Sequence, residues 1–301
     1  MKVRTNPYFL RERKIRLAKI LLNHLCVATI EAGVYNRLII VLFLCITLTA
    51  CASPAQIIDN KAFTHGFEKL ELHGLPFTHV SYRNIKKNNT KRLHVYIEGD
   101  GTISIARRWV STDPTPRKGL MLELMSLDPQ PSLYLGRPCY FGQASNPPCS
   151  PLLWTFQRYS QQVVLSMVSA LNNHLKLQHY DELVFFGHSG GGALALLIAP
   201  HFGQTVTIVT LGANLDIDAW TDHHSFTRLF GSLNPAFQPT LPPHITQIHY
   251  AGEDDHNVPP SIVENSLSNQ PHSQFRLLKG VNHTCCWQNM WPDVLREIDG
   301  L

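Results

Sequence analysis

Leu183-Val184-Phe185-Phe186-Gly187-His188-Ser189-Gly190-Gly191-Gly192-Ala193-Leu194-Ala195-Leu196-Leu197 passes from one periodicity to another without a loop between them. Four apolar residues, two of them aromatic, read as a buried strand, and the Ala-Leu run behind the glycines reads as a helix. Ser189 therefore sits in the strand-to-helix turn itself. A turn that tight folds the backbone onto itself, so the residues two before and two after the serine must lack bulk, and the serine must take strained dihedrals. Gly187 and Gly191 meet that demand. The glycine spacing alone would also suit a plain connector; the strand before it and the helix after it give it weight.

Outward from this turn the same alternation continues. Short β-branched or aromatic runs at 70–73, 79–83, 93–98, 132–135, 182–187, 205–211, 246–251 and 274–278 predict strands. Stretches with apolar residues at three- or four-residue steps predict helices over 156–177, 191–199, 260–267 and 287–298. Strands alternating with helices make an α/β fold, here a mostly parallel central sheet of about eight strands flanked by helices. Hydrophobic residues at 44% and charged ones at 16% suit a packed globule and exclude a disordered or coiled-coil chain. No repeat or low-complexity tract interrupts it.

A serine hydroxyl is a weak nucleophile at neutral pH. A histidine must take its proton, and an acid must hold that histidine in the right tautomer. Gly187-His188-Ser189-Gly190-Gly191 resembles the nucleophile elbow of the α/β-hydrolase superfamily, and the resemblance can be followed over residues 68–301. It implies Ser189 as nucleophile, followed along the chain by an acid and then a base. Gly252-Glu253-Asp254-Asp255-His256-Asn257-Val258-Pro259 resembles the family's Gly-x-x-Asp-x-x-Val-Pro turn, which selects Asp255 as the acid. Asp254 is its neighbouring competitor, and Asp216 or Asp218 would serve if the acid had migrated. Lys279-Gly280-Val281-Asn282-His283 ends the last predicted strand, where the family carries its base, so His283 is singled out among 16 histidines. His188 fills the elbow and is expected to point away from the Ser189 hydroxyl.

The same resemblance implies two oxyanion donors, the backbone N–H of Gly190 and that of Asp100 in the turn Glu98-Gly99-Asp100-Gly101. Glu98 stands where many relatives have histidine, a departure that bears on the shape of the hole; the turn also reads as an ordinary Gly/Asp turn. Arg107-Arg108-Trp109 follows and reads either as a solvated surface pair or as a contact for an anionic or aromatic substrate. Trp287 and Trp291 read as core anchors. Between residues 212 and 241, Trp220, Phe226, Leu229, Phe230 and Phe237 read as core beneath a long loop, with an acyl pocket under a short cap as the alternative. Asp222-His223-His224 lacks a spaced third ligand, so no metal is expected, and no cofactor is implied.

The formal net charge of +4 would tempt a reader toward nucleic acid, but its location decides otherwise. Residues 1–50 hold 8 Lys and Arg against 2 Asp and Glu; residues 51–301 hold 18 against 20, a net of −2. No nucleic-acid partner is expected. Residues 38–50 form an uncharged run of 13, short of the ~20 that cross a bilayer and within the range of a signal-peptide core. Leu48-Thr49-Ala50-Cys51 resembles a bacterial lipobox, which implies a lipidated Cys51 and an envelope membrane anchor; Ala52 in place of Asp resembles sorting to the outer membrane. Seven Lys or Arg before residue 20 make an unusually long leader; either the start is misassigned, with Val34 as the true first residue, or 11–30 form an amphipathic surface helix. The expected organisation is a leader over 1–50, a tether over 51–67 and the catalytic domain over 68–301.

Four cysteines remain after Cys51. Cys139 and Cys149 bracket a Pro-, Gly- and Asn-rich loop, which makes a local disulfide between them the expected pairing in an oxidising compartment. Cys285 and Cys286 would then form a vicinal bridge or stay as thiols, unless both cross to that loop. Neither pair has the spacing of a zinc knuckle. The resulting expectation is a membrane-anchored serine esterase or lipase acting on a small ester or lipid, with a peptidase, a thioesterase and a catalytically silent envelope binding module as alternatives.

Overall fold

The computed structural model describes residues 52–84, 91–106 and 108–300. The leader 1–50, the expected lipidation site Cys51 and Arg107 lie outside the described residues. Residues from Ser53 to the C-terminus form one compact unit.

Its core is an eight-stranded sheet. The strands are β1 (Glu68–Gly74), β2 (Phe77–Asn84), β3 (Arg92–Ile97), β6 (Ser132–Tyr134), β7 (Glu182–His188), β8 (Thr205–Leu211), β9 (Thr246–Gly252) and β10 (Ser273–Leu278), and a separate hairpin joins β4 (Ser104–Ile105) to β5 (Trp109–Val110). Their spatial order is β1-β2-β6-β3-β7-β8-β9-β10. The β1/β2 and β2/β6 pairs are antiparallel, and every pair from β6 to β10 is parallel. All eight predicted strands are present within one or two residues of their expected bounds. β7 runs along the middle as Leu183-Val184-Phe185-Phe186, each fully buried, because a parallel strand covered on both faces has no polar side to show.

The helices are α1 (Pro54–Thr64), α2 (Leu120–Ser126), α3 (Gln161–Leu177), α4 (Gly190–Ile198), α5 (Ile217–His223), α6 (Pro260–Ser266) and α7 (Trp287–Asp299). α3 begins five residues later than its apolar periodicity predicts, because Ser160 is its N-cap and its hydroxyl accepts from the Val163 N–H. α7 buries Trp287, Trp291, Val294, Leu295 and Ile298, one stripe at helical spacing. Both tryptophans are thus core anchors, as expected.

Three α-helices, α1, α2 and α5, and the β4/β5 hairpin have no counterpart in the sequence reading. α1 falls inside the stretch expected as a tether. Ser53 and Gln56 form a capping box at its start, and Ile58 and Ala62 are buried in the core.

Candidate active site

The site forms where β7 hands the chain to α4. Ser189 takes φ 53° and ψ −124°, a region that costs a non-glycine residue of order 1–3 kcal/mol and persists only where the surroundings impose it. Close packing imposes it here. A Cβ on Gly187 would overlap the Gly191 carbonyl, and one on Gly191 would overlap the Ile97 carbonyl at the end of β3.

Topology brings two loops to this turn. Because β8 and β9 follow β7 in order, the loop after β9 lies near the elbow, and the loop after β10 reaches back across it. The Ser189 hydroxyl donates to His283 Nε2 at 3.1 Å, and His283 Nδ1–H donates to Asp255 Oδ2 at 2.8 Å. Asp255 is buried, and its other oxygen accepts from the backbone N–H groups of Asn257 and Val258 at 2.9 and 2.8 Å. Those two bonds fix the carboxylate toward the imidazole. Asp254 is exposed; Asp216 caps α5, and Asp218 pairs with Arg228. None of these three meets His283. The His188 Nε2–H donates to the His283 carbonyl at 2.7 Å, so His188 faces away from the serine hydroxyl, as expected.

The turn after β3 approaches from the other side. Among the described residues neither the Gly190 nor the Asp100 backbone N–H has a protein acceptor. The Asp100 peptide is pinned by Tyr140, whose hydroxyl donates to the Asp100 carbonyl at 2.9 Å. The Asp100 carboxylate accepts from Arg137 Nη1 at 2.6 Å, Arg158 Nη1 at 2.8 Å and the Tyr159 hydroxyl at 2.7 Å. It packs directly over the elbow: a Cβ on Gly190 would overlap Asp100 Oδ1. Burial pushes this carboxyl's pKa up, but the Arg158 and Arg137 guanidiniums outweigh burial and hold it well below the usual carboxylate range.

No family sequence model matches the chain, and no curated protein matches it in sequence. Solved structures do match. A bacterial membrane phospholipase A, described as a virulence factor, superposes over 94% of this chain and 98% of its own with a TM-score of 0.53 and 13% identity. A Pyrococcus furiosus esterase gives 0.54 and 12% over 78% of this chain and 90% of its own, and the esterase domain of a Rhodothermus marinus protein 0.52 and 12% over 78% and 96%. The fold is the α/β-hydrolase fold. Identities this low speak for architecture alone.

In this α/β-hydrolase fold the elbow opens into a cleft of about 780 Å³ lined by Ser189, His283, the 98–104 turn and the start of α2. Glu98, the residue that departs from the family pattern, is buried beside it. Its oxygens accept from the N–H of Met121 at 3.0 Å and of Gly99 at 3.4 Å, so Glu98 ties the turn after β3 to α2. Burial nonetheless dominates, raising its pKa to about 7 against those two bonds. His188 Nδ1 lies 3.9 Å from Glu98 Oε1 and has no hydrogen-bond partner. Burial, reinforced by His283, lowers the His188 pKa to about 3, so its ring is neutral.

The aromatic residues between 212 and 241 divide between the two readings. Leu229 and Trp220 are buried in the core, Trp220 also lining the cleft with the exposed Phe226, so the expectation that all five are core is corrected at Phe226, Phe230 and Phe237. Phe230 is exposed and stacks on Phe156, and Phe237 is 71% exposed. The cause is α5, whose Trp220 indole N–H donates to the Asn257 carbonyl and so sets the ring at the cleft rim. Asp222 pairs with Arg228 and His224 Nε2–H donates to Asn257, which engages two of the three residues that resembled a metal cluster. Arg108 and Trp109 are exposed on the β4/β5 hairpin. The Cys139 and Cys149 sulfurs lie at bonding distance, 2.11 Å, as do those of Cys285 and Cys286 at 2.15 Å.

Arg137, Arg158 and Tyr159, which clamp Asp100, were not anticipated from the sequence. They lie 37, 58 and 59 residues from Asp100, and no local spacing signals such a contact.

Proposed function

We propose that the chain is a serine hydrolase that cleaves a carboxylic ester through an acyl-enzyme. The observation that carries this is the continuous hydrogen-bond chain from Ser189 through His283 to Asp255, with two unused backbone N–H groups beside the serine. Ser189 Oγ attacks the ester carbonyl carbon while His283 Nε2 takes its proton. The negative charge moves to the carbonyl oxygen, which the N–H groups of Gly190 and Asp100 stabilise. As the tetrahedral intermediate collapses, the alcohol leaves with the proton from His283. A water, deprotonated by the same histidine, then attacks the acyl carbon and releases the carboxylic acid and free Ser189. Asp255 stays ionised and holds the imidazole tautomer.

The neighbours called esterases and phospholipase A support an ester over other acyl compounds. We extend the proposal to the N-terminus: a lipidated Cys51 anchors the enzyme in a bacterial envelope membrane, the outer one by its Ala52, and Cys139–Cys149 form a disulfide there. A panel of p-nitrophenyl esters of graded acyl length, run beside a thioester and a peptide anilide, tests the reaction class. Ester cleavage should exceed the other two by at least about tenfold in kcat/KM; a peptide or thioester preference overturns the esterase reading. Mass spectrometry of the membrane-extracted protein should find a diacylated Cys51 N-terminus, and an unmodified peptide spanning Ala50-Cys51 refutes the anchor.

A further inference from the structure

The two walls of the cleft differ in chemistry. Since β7 lies between β3 and β8, chain following β8 and β9 forms one wall, and chain following β3 forms the other together with Lys61 of α1 and Arg158. The first presents the apolar Trp220, Phe226 and Val258 together with Asn214 and Asn257. The second presents cations. Lys61 pairs with Glu123, so those two charges cancel. Arg117 and Lys118, both exposed, have no carboxylate partner among the described residues.

Arg158 is the third cation, and its placement is the telling one. It is only 5% exposed. Its Nε donates to the Thr155 carbonyl at 2.5 Å and its Nη1 to Asp100 at 2.8 Å. Its Nη2 has no acceptor among the described residues, yet that atom is not sealed in the interior, and Arg158 lines the cleft. Asp100 is shared with Arg137, so the buried trio carries one net positive charge next to the oxyanion-side turn. A buried charge without its counter-ion is costly, and an anion arriving through the cleft would supply the counter-ion.

We propose that the cleft selects esters that are anionic amphiphiles: an acyl chain laid against Trp220, Phe226 and Val258, and a carboxylate or phosphate on the alcohol part held by Arg158, Arg117 and Lys118. Arginine suits this role because its planar fork donates to two oxygens of one oxyanion. The inference rests on the reading of Ser189 as an esterase nucleophile and names that site's substrate class.

The test uses three hexanoyl phenyl esters that differ at the para position of the phenol: a carboxylate, a phosphate and a neutral carboxamide. Wild type is compared with Arg158→Gln and with the surface pair Arg117→Gln/Lys118→Gln. Comparing each variant with wild type cancels the intrinsic reactivity of each ester. The expected result is that the anionic-to-neutral ratio of kcat/KM falls about tenfold or more in Arg158→Gln and several-fold in the surface pair. Wild-type turnover of the anionic esters should also fall with added salt while that of the neutral ester does not. A response in the carboxylate arm, the phosphate arm or both supports the proposal and tells which anion fits. Unchanged ratios with no salt dependence overturn it, and so does an equal loss on the neutral ester, which would mean that Arg158 serves only the oxyanion turn. If Arg158→Gln fails to fold, the surface pair and the salt series still decide. Absence of cleavage of all three esters, with Ser189 unreactive toward a phosphonylating probe, would instead overturn the esterase reading and this inference together; a labelled Ser189 with indifference to charge overturns this inference alone.

Discussion

Glu98 shows how one residue couples the sequence to the site. Its ordinary pKa is 4.5 and burial raises it to about 7 in the fold. Between those values the unfolded chain has released the proton and the folded chain still holds it, so this group makes the protein less stable as pH rises from 4.5 to 7, and contributes no further change above that. The shift amounts to about 3 kcal/mol across that window. Denaturant titrations of Glu98→Gln should therefore show stability exceeding wild type by a margin that grows from pH 4.5 to pH 7 and then levels off. A margin that is constant with pH would contradict the assignment. The departure at Glu98 was visible in the sequence, because the turn could be laid beside the family pattern. Its consequence was not, since burial by α2 depends on Met121, 23 residues away. Ser189, Asp255 and His283 were legible for the opposite reason: each sits directly after a strand, where a short motif fixes the turn. The clamp on Asp100 joins residues that only the folded sheet brings together.

At the scale of elements, the strands were readable from short β-branched or aromatic runs and the long helices from apolar residues recurring at three- or four-residue steps. α1 was not, since Pro54-Ala55-Gln56-Ile57-Ile58-Asp59-Asn60 offers only a short apolar face and lies inside the stretch expected as a tether. Its capping box, Ser53 with Gln56, was the signal that would have found it. The helix is part of the domain: Ile58 is fully buried and faces Gly119 at the start of α2, and Lys61 binds the Lys118 carbonyl at 2.5 Å. Removing the Ile58 side chain leaves a cavity in the core, for which about 2–5 kcal/mol is the usual loss. Ile58→Ala should lower the denaturation midpoint accordingly, whereas Ile57→Ala, at a position 36% exposed, should change it by less than about 1 kcal/mol. Equal effects at the two positions would mean that α1 does not pack on the core in solution. α5 escaped notice for a related reason: seven residues with one aspartate cap and mixed polarity lack a period, and its place at the cleft rim is set by the Trp220 to Asn257 hydrogen bond.

For the molecule as a whole, the charge that first suggested nucleic acid resolves into two unlike parts. The described domain belongs to the segment with net −2, and the cations that matter within it are gathered on one side of a single cleft. The parallel sheet accounts for that cleft: Ser189, Asp255 and His283 come from the loops at the carboxyl ends of the parallel strands β7, β9 and β10, where open α/β sheets gather their sites. The proposed mechanism requires His283 to activate Ser189 for attack on an electrophilic acyl centre. A fluorophosphonate reports this directly, because the serine oxygen displaces fluoride from phosphorus only when its proton is taken. Incubation with the folded protein followed by peptide mass spectrometry should find one phosphonyl group per chain, on Ser189, and none in Ser189→Ala. Labelling that persists in Ser189→Ala, or a folded wild-type protein that takes up no label, would contradict the account.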